Sequence, residues 1–258
     1  ASPVFAQCDI KVGVGEPADE WNAAFTRSGP GWTGADTTAS VELPSGDTAF
    51  FFSDSFIAED PQKPGDGTVQ VNANGLRTRM PNCLPPFCGP KPEHIHYVFN
   101  SIVVRSKDGK SFRTLTGEKD KNGYSTAFFK QDAADANEMY WLGEPMIVDV
   151  DGTKKIWIFL NEWSVGRPFD KTFWIKYRGQ AIAQMDAETL KLEKIVELKN
   201  KHDDAIWGIS LWADGKDLYI YGMRNEEKLP PDAAAADPND IGRYKKLYIA
   251  RTENGKGL

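Results

Sequence analysis

The chain has 258 residues and a net charge of −6 at neutral pH, with 40% hydrophobic and 26% charged residues. This composition excludes an intrinsically disordered protein and fits one large β domain or two small ones. No Lys/Arg-rich run occurs, so we expect no nucleic-acid partner. No apolar run is long enough to cross a membrane.

The first residues, ASPVFAQCD, are typical of a mature chain after signal cleavage, and we expect a secreted or periplasmic protein. Cys83 and Cys88 frame the segment CLPPFC. We expect them to form a disulfide in an oxidising compartment, with two free thiols as the alternative. Cys8 is left without an assigned partner.

Strand signals dominate the chain, because β-branched and aromatic runs recur between Gly, Asp and Pro residues. Two Ala-rich segments, QDAADANEMYW and PPDAAAADPNDIG, are interpreted as loops. The sequence therefore predicts an all-β fold, with strands at TASVEL, TAFFFSDSF, HYVFNSIVVRS, SFRTLTG, EPMIVDV, KKIWIFLNEW, KTFWIKYRGQAIAQM, LEKIVEL, GISLWA, DLYIYGM and KKLYIART.

A unit made of an apolar strand, an acidic glycine turn and an aromatic strand occurs three times, with the turns PSGD, DVDGTK and WADGKD. A third strand follows each hairpin, and the first two units add a fourth. Four-stranded repeats predict β-propeller blades, here about three. We expect one propeller domain over 1–258, with a loop insertion at about 58–97 and a C-terminal end before ring closure. A β-sandwich is the alternative.

The residues at the start of each blade's innermost strand converge on the channel of a propeller. Here they are Asp36, Glu144 and Trp207. Two carboxylates and an aromatic ring form the set that a sugar-cleaving site needs, because one carboxyl donates a proton and the other acts as base or nucleophile. We therefore expect catalysis from Asp36 and Glu144, together with Asp54.

Asp54 follows an apolar run, and strand alternation places it on one face with Phe50, Phe52 and Phe56. A carboxylate among aromatic rings has a raised pKa and can act as a general acid. The alternative is an Asp at a strand end that caps a turn.

The stretch WTGADTTASVELPSGDTAFFFSDSF resembles the opening of secreted five-bladed propellers in a superfamily of unknown function, some of whose members are endo-acting D-arabinan-cleaving glycoside hydrolases. The resemblance covers roughly Gly31 to Arg251, through VFNSIVV, YWLGEP and IWGISLWADGKDLYIYGM. It implies that Asp36 and Asp54 form the acidic pair of the active site. Ser53 departs from this pattern, since glycine is common there.

Substrate binding is predicted for an amide, an imidazole and three indoles: Trp32, Asn100, Trp141, His202 and Trp207. Asn100 has a second interpretation, in which it satisfies strand-end backbone groups, and His202 could lie in a solvated loop. Trp157, Trp163 and Trp174 are interpreted as packing between blades, and such packing is the alternative for Trp141. The segment DVDG at Asp149–Gly152 is interpreted as a hairpin turn. We expect no metal and no cofactor, with a structural calcium ion as the alternative.

The sequence thus predicts a secreted glycoside hydrolase that cleaves a polysaccharide, with an arabinan as one candidate and Asp54 as the acid. The alternative is a propeller that binds carbohydrate or another partner without catalysis. The expected partner is a polysaccharide or oligosaccharide.

Overall fold

The computed structural model describes residues 13–27, 30–59, 69–71, 77–79, 95–131, 138–166, 174–198, 205–225 and 245–253. These ranges contain one short helix and sixteen strands, which confirms the all-β prediction. The elements are α1(Asp19–Phe25), β1(Gly31–Ala35), β2(Thr38–Glu42), β3(Thr48–Phe52), β4(Ser55–Ala58), β5(Val69–Val71), β6(Arg77–Arg79), β7(Ile95–Val98), β8(Ser101–Arg105), β9(Phe112–Leu115), β10(Glu138–Val150), β11(Thr153–Gly166), β12(Trp174–Asp186), β13(Leu192–Glu197), β14(Ile206–Asp214), β15(Asp217–Asn225) and β16(Lys245–Glu253).

Four antiparallel sheets organise the described strands. Sheet 1 has the order β2-β3-β8-β9, sheet 2 the order β10-β11-β12-β13, sheet 3 the order β14-β15-β16 and sheet 4 the order β1-β4-β7. Sheets 1 to 3 contain the three predicted hairpins and the strands predicted to follow them. The remaining pair, β5 and β6, lies inside the segment predicted as a loop insertion at about 58–97. The described sheets do not close into a barrel or a ring.

The DVDG segment forms the predicted hairpin turn between β10 and β11. Asp151 and Gly152 have φ angles of +51° and +79°, as a two-residue hairpin turn requires. Asp149 Oδ1 accepts a hydrogen bond from the Gly152 N–H at 2.8 Å, and its Oδ2 lies 3.1 Å from Lys154 Nζ. The Asp149 carboxylate therefore stabilises the turn itself.

Two segments predicted as single strands are each divided between two sheets. TAFFFSDSF contains β3 of sheet 1 and β4 of sheet 4, and HYVFNSIVVRS contains β7 of sheet 4 and β8 of sheet 1. The register runs from Phe52↔Ser101 in sheet 1 to Ser55↔Val98 in sheet 4. The prediction of continuous strands was wrong here, because the backbone leaves one ladder and enters another at 53–54 and at 99–100.

A third break, at 36–37, separates β1 of sheet 4 from β2 of sheet 1 and lies beside the other two breaks. Sheet 2 passes the corresponding level without interruption. Its long strand β10 carries only a register shift between Leu142 and Pro145, and β14 of sheet 3 has one between Trp207 and Ser210. The predicted equivalent positions Asp36, Glu144 and Trp207 thus all lie at or beside an irregularity of the first strand of their sheet.

The core is a series of sheets packed face to face. Sheet 1 packs on sheet 2 through residues such as Phe51 and Leu160, and the opposite face of sheet 2 packs on sheet 3 through Phe159 and Ile220. Alternate side chains of sheet 2 are therefore buried on its two faces. The first strands of the three sheets lie next to one another, and β10 contacts both β2 and β14.

Helix α1 covers the outer face of sheet 1. Phe25 lies 5.0 Å from the Phe50 ring and 5.7 Å from the Trp32 ring, and Trp21 contacts Phe50 at 6.0 Å. Sequence patterns did not predict this helix, because seven residues are too few for a clear helical period and its stability comes from aromatic packing. No helix in the described ranges is long and apolar enough to cross a membrane.

Candidate functional site

The break between sheets 1 and 4 brings Asp36 and Asp54 together. The Asp36 backbone N–H donates a hydrogen bond to the Asp54 carbonyl at 3.0 Å. Thr37, between β1 and β2, has a φ angle of +46°, which is strained for a β-branched residue. Strain of this kind persists only where surrounding structure enforces it, and it concentrates at functional sites.

Two side-chain donors hold the Asp54 carboxylate. Trp141 Nε1 donates to Asp54 Oδ1 at 2.8 Å, and the Tyr97 hydroxyl also hydrogen-bonds the Asp54 side chain. The Tyr97 ring is fixed between Phe56 and Phe99, with ring centroids 5.7 Å and 5.4 Å away. Strands β7 and β10 therefore supply the partners of a carboxylate that lies between β3 and β4.

Sequence analysis missed Tyr97. It stands in the segment HYVFNS, three residues before Asn100, and nothing in its local pattern marks it as a partner of a carboxylate. Only the pairing of β7 with β4, with Tyr97 opposite Phe56, brings it beside Asp54. The expected neighbours of Asp54 were three phenylalanines on a continuous strand. They are instead Tyr97 and Trp141, because the strand breaks at Asp54.

The two carboxyl groups have different electrostatic surroundings. Burial raises the pKa of Asp54, and hydrogen bonds from Tyr97 and Trp141 oppose that rise. Burial raises the pKa of Asp36 and the nearby Asp54 charge raises it further, whereas hydrogen bonds from the Asp54 backbone and the Thr37 side chain oppose that rise. Burial and the two carboxylates raise the pKa of Tyr97, so its hydroxyl stays protonated and remains a donor. Both carboxyls thus have a raised pKa, and each accepts hydrogen bonds that stabilise its anion: Asp54 from two side chains, and Asp36 from one side chain and one backbone group.

Glu144 holds sheet 2 to sheet 3. It lies at the irregularity of β10, and its Oε2 accepts a hydrogen bond from the Leu211 N–H of β14 at 2.6 Å. The preceding Gly143 packs so closely on Gly208 that a Cβ atom would lie 2.5 Å from the Gly208 carbonyl oxygen. None of the hydrogen bonds found for Glu144 in the described chain goes to Asp36 or Asp54, so it joins this pair only in the sequence prediction.

Trp32 and Asn100 are buried. Trp32 is 5% exposed and its ring lies 4.8 Å from the Phe52 ring. Asn100 is 0% exposed, and its amide bridges backbone groups: Nδ2 donates to the Phe129 and Tyr140 carbonyls at 3.1 Å each, and Oδ1 accepts from the Phe129 N–H at 2.8 Å. Neither side chain is accessible to a substrate. The predicted substrate-binding roles of both residues are therefore wrong: Trp32 packs in the core, and Asn100 forms hydrogen bonds with buried backbone groups.

Trp207 packs sheet 3 against sheet 2. Its backbone N–H donates to Gln180 Oε1 at 2.9 Å, and its carbonyl accepts from Gln180 Nε2 at 2.7 Å. Its ring lies over Gly222, where a Cβ atom would approach it to 2.6 Å. Of the predicted binding residues with described coordinates, only Trp141 contacts the carboxylate pair. His202, Cys8, Cys83 and Cys88 lie outside the described residues.

Within the part of the chain that the structure describes, no group of three or more His, Cys, Asp or Glu side chains is arranged to hold a metal ion. The chemistry that the site itself offers is proton transfer and charge stabilisation. Asp36 and Asp54 can divide those roles, since two carboxyls that interact electrostatically lose their protons in successive steps.

Comparison with solved structures gives a likeness of fold. A protein from Bacteroides ovatus described as a "putative hydrolase" matches with a TM-score of 0.53 and 18% sequence identity over 90% of this chain. The match covers 51% of that protein, so the chain spans about half its length. No curated protein is significantly similar in sequence.

One protein family matches the larger part of the sequence. The model of the family described as a domain of unknown function, DUF5005, covers residues 90–255 of the 258. The matched segment includes Tyr97 and Trp141 but begins after Asp36 and Asp54. On this match, the chain belongs to the DUF5005 family.

Proposed function

We propose that this protein is a hydrolase that cleaves glycosidic bonds, with Asp36 as general acid and Asp54 as the anionic partner. One observation carries the proposal: two carboxyls that interact electrostatically lie at a strained break, and one of them accepts hydrogen bonds from two side chains of other strands. Pairs of titratable groups whose surroundings separate their pKa values are the usual acid and base of an active site.

The roles follow from the contacts. Tyr97 and Trp141 orient Asp54 and stabilise its negative charge, which suits a nucleophile or a base. That charge favours the proton on Asp36, which suits the donor to the leaving-group oxygen. The sequence favoured the opposite assignment, because it placed Asp54 among phenylalanines without any donor.

We further propose that sheets 1 to 3 are successive propeller blades. Their antiparallel strand order and the contacts of β10 with β2 and β14 support this. The outer face of sheet 3 adds support. It exposes Trp212, Leu247 and Ile249 by 53%, 64% and 57%, as a face that packs on a further blade would.

Three finer points are also part of the proposal. A polysaccharide substrate, an arabinan among the candidates, and a secreted location rest on the resemblance of the segment Trp32–Phe56 to a superfamily of secreted propellers, some of whose members cleave arabinan. A hydrolytic reaction is supported by the carboxylate pair and by the description given to the Bacteroides ovatus protein with a similar fold.

The test is hydrolysis of a panel of polysaccharides by the wild type, Asp36→Asn and Asp54→Asn. Asp151→Asn is the matched control, since it removes one carboxylate in an exposed turn. We expect kcat to fall by about 10² to 10⁴ in both site variants and to stay unchanged in the control. Hydrolysis that survives both site substitutions would refute the proposal, and binding without turnover by the wild type would favour a carbohydrate-binding protein.

Aryl glycosides with a good leaving group separate the two roles. Such a leaving group needs no proton, so Asp36→Asn should retain most of its activity on them, whereas Asp54→Asn should not. The reverse pattern would exchange the roles of the two residues.

A further inference from the structure

Three aromatic side chains extend from the carboxylate pair across sheet 2. Trp141 on β10 lies 5.2 Å from Trp163 on β11, and Trp163 lies 5.3 Å from Tyr177 on β12, between ring centroids. Trp163 is the cross-strand partner of Tyr177, so the rings follow the hydrogen-bonding direction of the sheet. Because Trp141 Nε1 is bound to Asp54, this aromatic row begins at the candidate site.

The aromatic row lies outside the buried apolar core. The three buried apolar clusters of the described chain contain neither Trp141, Trp163 nor Tyr177. All three side chains are instead partly exposed. The interpretation of Trp163 as packing between blades is therefore not supported by these clusters.

An unused donor lies within the row. Trp163 Nε1 is buried, and no acceptor for it is found among the described residues. A buried donor without an acceptor is uncommon in folded proteins and calls for a functional or structural explanation.

We infer that the aromatic row is a binding surface for a carbohydrate chain, which it holds alongside the site of cleavage. Sugar rings have an apolar C–H face, so a partly exposed aromatic ring can stack against that face. A ligand that reaches from Asp54 to Tyr177 must contain several sugar units, so the substrate class is a polysaccharide or oligosaccharide. The placement next to cleavage depends on the proposed function, whereas the binding does not.

Binding is tested in the Asp54→Asn background, where turnover is suppressed. The probes are soluble arabinan, arabinoxylan, β-glucan and galactomannan, measured by affinity gel electrophoresis. We expect Tyr177→Ala and Trp163→Ala to raise Kd for the bound polymer about tenfold, which corresponds to about 1.4 kcal/mol. Trp212→Ala is the matched control, because it removes an exposed ring that stacks on Tyr219 in sheet 3.

Two further variants keep the test independent of folding. Tyr177→Phe and Trp163→Phe retain an aromatic ring, so both should bind more tightly than the alanine variants of the same positions. Thermal unfolding identifies any variant that fails to fold. Three results would overturn the inference. The first is that Trp212→Ala weakens binding as much as the row variants do. The second is full binding by folded Tyr177→Ala and Trp163→Ala proteins, and the third is a wild type that binds none of the four polymers.

Hydrolysis separates this inference from the proposed function. If the wild type binds a polymer through the row but never cleaves it, the binding surface stands and the hydrolase does not. If the wild type cleaves a polymer and Tyr177→Ala and Trp163→Ala leave KM unchanged, the hydrolase stands and the row does not. If both hold, the two variants should raise KM for the polymer by a larger factor than KM for a short aryl glycoside, which does not reach Tyr177.

Discussion

Replacement of Asn100 by alanine tests the structural role of this buried amide. The substitution removes the acceptor of the Phe129 N–H and the donor of the Phe129 and Tyr140 carbonyls. Each buried polar group left unpaired costs about 1 to 3 kcal/mol, and carbonyls are at the lower end. We therefore expect Asn100→Ala to lower the free energy of unfolding by about 3 to 5 kcal/mol.

The assay is thermal unfolding followed by circular dichroism. In a domain of this size, each kcal/mol lowers Tm by about 2 to 4 °C, so the expected loss is about 6 to 20 °C. The matched control is Asn122→Ala at an exposed turn, which should change Tm by about 2 °C or less. A Tm for Asn100→Ala equal to that of the control would refute the structural role of these hydrogen bonds.

Three further predictions concern the carboxylate, the sheet interface and a turn. Tyr97→Phe removes a donor to Asp54, so the pKa of that carboxyl should rise and the acidic limb of the kcat/KM profile should move to higher pH. Gly208→Ala should lower the free energy of unfolding in urea by about 2 to 5 kcal/mol, because its φ is +76° and a Cβ atom would lie 2.2 Å from a phenylalanine ring. Asp186→Ala should lower Tm at pH 7. Hydrogen bonds from its turn and a lysine hold the Asp186 pKa at about 2, so this difference should disappear as the pH falls from about 4 through 2.

Each prediction has its own control. For Gly208, the comparison is Gly123→Ala, which has a similar φ of +83° but no atom within 4 Å of the new Cβ, and it should cost only the backbone strain. Equal losses at the two glycines would show that the contact between sheets 2 and 3 is unimportant. An acidic limb unchanged in Tyr97→Phe would remove its support of Asp54. A Tm difference for Asp186→Ala that persists at pH 2 would mean that its charge is not the cause.

Local sequence signals predicted the hairpins correctly. The turn glycines Gly46, Gly152 and Gly215 have positive φ angles, and runs of β-branched and aromatic residues flank them. Such signals act over two to eight residues, so they do not depend on the rest of the chain. The strand repeat and the all-β class followed from them.

The surroundings of Asp54 depend on strand pairing between distant segments, and strand alternation did not predict them. Alternation assumes an unbroken strand, and it placed Asp54 on one face with three phenylalanines. The strand ends before Asp54, because β4 pairs with β1 and β7 and leaves sheet 1. The register between β4 and β7 then places Tyr97 beside the carboxylate, and no local pattern encodes a register between segments so far apart.

The sequence by itself therefore determined the all-β class, the hairpins and their turns, because these depend on residue type and short spacing. It also nominated Asp36 and Asp54, through the expected blade positions and the family resemblance. The tertiary structure decided the surroundings of each side chain. It placed Tyr97 and Trp141 on Asp54, buried Asn100 against backbone groups and turned Glu144 toward sheet 3. The physical reason is that burial, hydrogen-bond partners and the resulting pKa values arise from contacts between distant segments, which form only when the sheets pack.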